Sequence, residues 1–511
     1  MLSSKLSRVS SLLLTQNSKR EFSRLPTRNF SGAFRQKVQE ETSPKIPEFD
    51  HSPKYSGDRY TGPSYSEISK MKKENMPDWV LTFYKNPLYI TEGKMQYLYD
   101  HSGRRYLDAF GGVCTVSVGH CHPYVNDKLK QQVDRLWHTT SLYMNETIST
   151  YSEKLLKTLP PKLNKVMFFN SGSEANDFAM NISQLHTGNK EIIAVRNCYH
   201  GGSIGSNKLT SLHTWRPMQV ESPIRHTTCP DPYRGVYGGS RSGLASNIHS
   251  PNCPDPKKAG KIYAQDVKET ILHGTSGRIA GFWAEGIQGV GGTVQFPEGY
   301  IDEAFKIARA HGGLCVMDEV QTGWGRTGET YWGWQDHVSA ENCPDIMVMA
   351  KSMGNGFPMA AVVSTEEIMS AHKGKTFFNT YGGNPLSMAV GEAVMDTIEI
   401  DGLQKNCKVI GDILMNGMLD LQEKYEIVGD VRGKGLLLGL EFVTDKGSKE
   451  RATQQCMEVH ESMKEDGILV GKGGLYGNVL RIKGPMCWNK EDAKFFLDSL
   501  ESGIQKTMER M

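Results

Sequence analysis

The chain has 511 residues, of which 38% are hydrophobic and 23% charged, with a formal net charge of +2. That length is more than one hydrophobic core serves, so two domains and an extension are expected. The near balance of charge argues against a nucleic-acid surface as the main business of the chain. No apolar run approaches the ~18 residues that a membrane-crossing helix needs.

Residues 1–36 read differently from everything after them. Lys5, Arg8, Lys19, Arg20, Arg24, Arg28 and Arg35 are basic, Glu21 is the lone acid, and serines are dense. Leu2, Leu6, Val9 and Leu13 recur at a spacing that stacks on one helical face. Basic, serine-rich, acid-poor and amphipathic is the signature of a mitochondrial transit peptide, so the mitochondrial matrix is the expected compartment. Arg28-Asn29-Phe30-Ser31 is a candidate processing site. The 10 cysteines are scattered with no CxxC pair, which suits a reducing compartment.

Residues 37–75 are polar and rich in Pro, Ser, Tyr and Lys, and are expected to form an extended arm on the surface or on a partner subunit. Tyr89-Ile90 and the run Met95 to Tyr99, separated by Thr91 to Lys94, predict a β-hairpin. Short apolar strands then alternate with glycine-rich turns and helical patterns. Val166 to Phe169 leads into Ser171-Gly172-Ser173, Ile192 to Val195 into Tyr199, and Ile279 to Ala284 into Glu285. Leu314 to Met317 leads into Asp318, and Ile346 to Met349 into Lys351. Fully apolar strands of this kind belong to a mostly parallel sheet covered on both faces, whose ligands gather beyond the carboxyl ends of the strands. A long helix from Pro385 precedes apolar runs at 427–431, 435–442, 467–471 and 479–482, and a helix from about Lys490 closes the chain. The expected division is 1–36 transit peptide, 37–110 arm and part of a small domain, 111–385 large domain, and 386–511 small α+β domain.

Three clusters carry chemistry. Ser171-Gly172-Ser173 opens a helix, where free backbone N–H groups and hydroxyls can hold an anion, although the same triplet also caps ordinary helices. Asp318 ends a buried strand, where an acid is costly unless it meets a cation, either a protonated ring nitrogen or a structural arginine. Lys351 directly ends another apolar strand, where desolvation would lower its pKa and leave a nucleophilic amine. No metal site is expected.

Taken together, these stretches resemble the class III, ornithine-transaminase-like aminotransferases among the fold-type I pyridoxal-phosphate enzymes. The resemblance rests on Ser171 to Asn176, Asp318 to Gly323 and Ala350 to Pro358. It is supported by Val116 to His122, Cys229 to Gly235, Gly382 to Pro385 and Gly429 to Gly435. It implies an α/β fold: a large domain around a mostly parallel seven-stranded sheet, plus a smaller α+β domain. It implies pyridoxal 5′-phosphate as cofactor, held by Lys351 as a Schiff base, with Lys351 also moving protons and Asp318 pairing with the ring nitrogen. Gly172 and Ser173 would hold the phosphate, helped by Thr380 of a second subunit. Tyr199 and Val320 would cover the two ring faces, Gln321 would meet the ring hydroxyl, and His200 would join the cofactor site. Arg432 would clamp the substrate carboxylate, and Glu285 would line the pocket. The implied activity is ping-pong transfer of an amino group from L-alanine, or a β-amino acid such as 3-aminoisobutyrate, to glyoxylate or pyruvate. An ω-amino acid transaminase or aminomutase is the alternative. A homodimer or dimer of dimers acting on small amino and keto acids is expected.

Two positions depart from the family pattern. Gly286 stands where proline is common after the glutamate, and Lys483-Gly484-Pro485 stands where a Pro-Pro pair is common. A nicotinamide-dependent dehydrogenase fits poorly, because Met359 occupies the place of the third glycine after Gly354 and Gly356.

Overall fold

The strand Ile346–Met349 is apolar at every position because both of its faces are covered. Ile346 and Val348 belong to one buried cluster, whereas Met347 and Met349 belong to another. Val316 and Met317 divide in the same way between the two clusters, as do Trp283 and Phe282. This period-two split is what a strand between two helical layers produces. In this computed structural model, which describes residues 44–80, 82–217, 222–243 and 247–511, seven such strands form one sheet. Their order is Lys165–Phe169, Ala360–Ser364, Ile346–Met349, Leu314–Asp318, Gly281–Glu285, Ile192–Val195 and Ile224–Thr227. Only Ala360–Ser364 runs against its neighbours, so the sheet is mostly parallel, as the sequence implied. Helix Gly172–Thr187 supplies Ala175, Ala179 and Ile182 to one cluster. Helices Ala259–Gly274, Tyr300–Ala310 and Pro385–Ile400 supply the other.

The second sheet joins the two ends of the described chain. Arg105–Ala109 pairs in parallel with Ile468–Gly473, and the order continues through Val479–Ile482 and Leu437–Asp445 to Val428–Lys434. Helices Leu403–Lys424, Thr453–Asp466 and Lys490–Met508 accompany these strands. Among the described residues, no helix is long and apolar enough to cross a membrane.

Three local expectations are corrected. The hairpin forms between Ile90–Lys94 and Tyr97–Asp100, so Thr91 to Lys94 lie inside a strand. The turn is instead at Met95-Gln96, with Met95 in the left-handed region at φ 51°. Residues 65–75 are a helix rather than an extended arm, begun by a reciprocal capping box between Ser64 and Glu67. The long helix from Pro385 is two helices, because Gly402 at φ 61° ends one and caps the next. The transit peptide expected at 1–36 lies outside the described residues.

Candidate active site

The parallel register sets the site. Asp318 lies opposite Glu285 on one neighbouring strand and Val348 on the other, so the carboxyl ends of three strands coincide. Lys351 follows three residues after Val348, beyond a strand it cannot continue, because its backbone sits at φ 43°. A non-glycine residue held there is strained, and such strain persists only where its surroundings over-determine it. The clamp is the Val116–His122 segment and its approach. Ser117 Oγ donates to the Ser352 carbonyl (2.7 Å), Ser352 Oγ donates to the Cys114 carbonyl (2.8 Å), and Asn355 Nδ2 donates to the Gly119 carbonyl (2.9 Å). Among the described residues, the Lys351 amine has neither a hydrogen-bond nor an ion-pair partner. Burial lowers its pKa, with Arg481 adding to the effect and Cys114, Asp318 and Glu285 opposing it.

Asp318 is buried, and among the described residues no Arg or Lys pairs with it. Its Oδ2 accepts from Asn176 Nδ2 (3.0 Å) and from the His200 ring through Nδ1 (2.8 Å), and its Oδ1 accepts from the Val320 N–H (3.0 Å). His200 therefore sits behind Asp318. Burial opposes its protonation, but the adjacent Cys198 and Asp318 hold its pKa well above the usual range. Asn176 is held in turn by Trp283, whose Nε1 donates to its Oδ1 (3.2 Å). The sequence reading gave Asn176 no role, although it stands one helical turn after Gly172 on the same face.

Ser171 caps the helix Gly172–Thr187 by accepting from the Glu174 N–H, which leaves the Gly172 and Ser173 amides at a positive helix end. A Cβ on Gly172 would lie 3.2 Å from Val320 Cγ2 and 3.7 Å from Ala350 Cβ, so this position is bare where two other site segments approach it. Ser173 Oγ accepts from the Gly202 N–H (3.1 Å). The Tyr199 amide donates to Glu285 Oε1 (3.1 Å), and its ring meets Trp215 edge-on at 5.1 Å. Glu285 also accepts from the Gly289 N–H (2.8 Å), and burial pushes its pKa up to about 7 against the opposing charge of His200. Gln321 lies beside these groups, its Oε1 accepting from Lys483 Nζ (2.9 Å).

Arg432 has surroundings other than those expected of a substrate clamp. Its Nη1 is paired with both Asp430 and Glu441 at 2.7 Å, while Nε and Nη2 donate to the Gly292 carbonyl at 3.0 and 2.8 Å. These contacts use it structurally. Arg481 lies on the other side of Gly439 in the same sheet. It is buried, donates to the Lys472 and Gly289 carbonyls, and has no carboxylate partner among the described residues. Thr380 is exposed and makes no side-chain hydrogen bond among the described residues; the neighbouring Asn379 accepts from Asn170 Nδ2 (3.1 Å).

The donor set fits an aromatic cofactor carrying a phosphate and a cationic ring nitrogen. A helix end and Ser173 suit the phosphate, the buried carboxylate of Asp318, backed by His200, suits the cation, and Lys351 offers an amine with a lowered pKa. This is the class of site that fold-type I pyridoxal-phosphate enzymes build. The Aminotransferase class-III family model matches residues 82–504, and the chain belongs to that family. It is 43% identical over 470 residues to a protein of Arabidopsis thaliana named alanine–glyoxylate aminotransferase 2 homolog 2, mitochondrial, with 92% of this chain and 93% of that one covered. A phospholyase from Arthrobacter in complex with phosphoethanolamine is 30% identical, with a TM-score of 0.76 over 86% of this chain and 99% of that one. An amine transaminase from an uncultivated Pseudomonas species in its pyridoxal-phosphate-bound form is 25% identical, with a TM-score of 0.75 over 84% and 98%. The protein is a pyridoxal-phosphate-dependent aminotransferase.

Proposed function

We propose that this aminotransferase takes its amino group from L-alanine and gives it to glyoxylate, within the mitochondrial matrix. The name of the Arabidopsis relative supports this substrate pair, and the basic, acid-poor residues 1–36 support the compartment. The observation that carries the substrate class is Arg481, a buried guanidinium with no carboxylate partner among the described residues, whose charge is felt by Lys351. It suits the carboxylate that amino and keto acids share, which a guanidinium can grip through two donors.

Bound pyridoxal phosphate supplies the electron sink that lets the Cα proton leave. The residues of the chain do the rest. Gly172 and Ser173 receive the phosphate, while Asp318, braced by Asn176 and His200, keeps the ring nitrogen protonated. Tyr199 and Val320 flank the ring, and Gln321 donates to its hydroxyl oxygen. Arg481 fixes the substrate carboxylate and so decides which Cα bond is weakened. Lys351 Nζ takes the Cα proton and returns it. Glu285, with its raised pKa, lines the pocket beside Tyr199. Arg432 braces the sheet behind Arg481.

The active form is a homodimer in which Thr380 serves the phosphate of the other subunit. Trp137, Leu142, Tyr143, Met144, Phe378 and Tyr381 are each exposed, and the His138 and Tyr381 rings meet at 5.5 Å, which joins two of these segments. Large apolar side chains exposed on neighbouring segments support a second copy as their cover. Steady-state assays with L-alanine and glyoxylate test the substrate reading. Parallel-line kinetics with both substrates support it, and activity confined to β- or ω-amino acids refutes it.

A further inference from the structure

Three lysines are buried among the described residues. Lys434 pairs with Glu329 and Asp336, and Lys464 pairs with Glu461 and Glu465. Lys483 pairs with no carboxylate among the described residues, although it is wholly inaccessible. An ammonium buried that way is costly, and a methionine would fill the same volume without the cost. Its Nζ donates only to oxygens of uncharged groups, Gln321 Oε1 at 2.9 Å and the Gly289 carbonyl at 3.2 Å. The groups whose charges act on it are Cys114, Arg481, Lys351 and Glu285. Burial, with Arg481 and Lys351, brings its pKa down to about 7.

These two bonds have a consequence for Gln321. Protonated, a lysine has donors and no acceptor, so below about pH 7 the side of the Gln321 amide that faces it is the oxygen. The Cys114 thiol lies 3.8 Å from the same oxygen. The Gln321 Nε2, with its two N–H donors, then has no hydrogen-bond partner among the described residues. The amide lies flat on Gly289, where a Cβ would overlap it. Lys483 therefore ties the Gln321 side chain and the Gly289 carbonyl together, and Arg481 reaches the same carbonyl at 3.2 Å.

We infer that Lys483 is a positioning residue for the cofactor ring, holding the oxygen of Gln321 so that its N–H donors are committed to the ring hydroxyl. The inference rests on Gln321 meeting that hydroxyl, as stated under the proposed function. The test is a double-mutant cycle on the full-length protein reconstituted with pyridoxal phosphate, using Lys483→Met, Gln321→Met and the double variant. The readouts are the dissociation constant of the cofactor and the pH at which its visible band changes. Each single variant is expected to weaken cofactor binding about tenfold, as loss of one charge-assisted hydrogen bond would, and to move the pH of the spectral change. The double variant is expected to lose no more than the worse single one. Losses that multiply to about a hundredfold would mean that Lys483 acts independently of Gln321 and would overturn the inference.

Gln321→Glu keeps the test decisive should Lys483→Met fail to fold. It sets a carboxylate against the unpaired ammonium, so the melting temperature of the cofactor-free protein is expected to rise while cofactor affinity falls about tenfold. An unchanged or lowered melting temperature would overturn the inference. A wild-type protein that takes up no cofactor would overturn the parent reading and this one with it. Normal wild-type binding with additive losses would overturn this one alone.

Discussion

Replacing Glu285 by glutamine should make the protein more stable at pH 8 and not at pH 5. Glu285 is 3% exposed, and burial holds its pKa at about 7 against an ordinary 4.5. At about 1.4 kcal/mol per pH unit, keeping it ionised in the folded state above pH 7 costs roughly 3 kcal/mol. The folded pKa is the higher one, so the cost is fully present above about pH 7 and disappears as pH falls toward 4.5. Glutamine removes the charge but cannot accept both backbone N–H groups, from Tyr199 and Gly289, that the two carboxylate oxygens now take. That lost bond returns about 1 kcal/mol. The net expectation is a gain of about 1–2 kcal/mol at pH 8, and no gain or a small loss at pH 5. Melting temperatures of the cofactor-free wild type and variant, taken in steps from pH 5 to pH 8, give the difference directly. A difference that is constant across this range would refute the reasoning, because it would mean that Glu285 does not titrate there.

Lys351→Ala should abolish the visible band of the bound cofactor and lower turnover by at least about a thousandfold, the scale of a lost general base; absorbance and single-turnover assays check this. Gly172→Ala should weaken cofactor binding several-fold without unfolding the protein, since its Cβ would meet Val320 Cγ2 at 3.2 Å, and Val320→Ala should restore much of the loss in equilibrium dialysis. The two arginines should separate cleanly. Arg481→Ala should lower kcat/KM for alanine and glyoxylate by about tenfold or more with little change in melting temperature. Arg432→Ala removes one of two guanidinium partners from each of Asp430 and Glu441, which keep Arg241 and Arg234, and should destabilise by about 1.5–3 kcal/mol, read as a lowered melting temperature.

The alternation of apolar strands with glycine turns was enough to expect a mostly parallel sheet and to bring Asp318, Glu285 and Lys351 to one edge, because those strands are buried on both faces. Ile224–Thr227 escaped notice because Arg225 is exposed at the sheet edge, so the strand has no continuous apolar run. Helix 65–75 was legible in the Ser64–Glu67 spacing but has no buried face to give it periodicity. Lys483, like Lys351, directly follows a buried strand, but Arg481 interrupts the apolar run of Val479–Ile482 and weakens the signal. That Arg432 is already paired, while Arg481 has no carboxylate partner among the described residues, was beyond the sequence. Both lie on fully buried strands, and only the register that brings Asp430 and Glu441 to Arg432 shows which guanidinium is already taken.

The visible absorbance of the purified protein, followed as L-alanine and then glyoxylate are added, tests the central claim most directly. The account predicts a band from the cofactor on Lys351 that fades with alanine and returns with glyoxylate. A protein that stays colourless after reconstitution with pyridoxal phosphate, or a band that ignores both compounds, would contradict it.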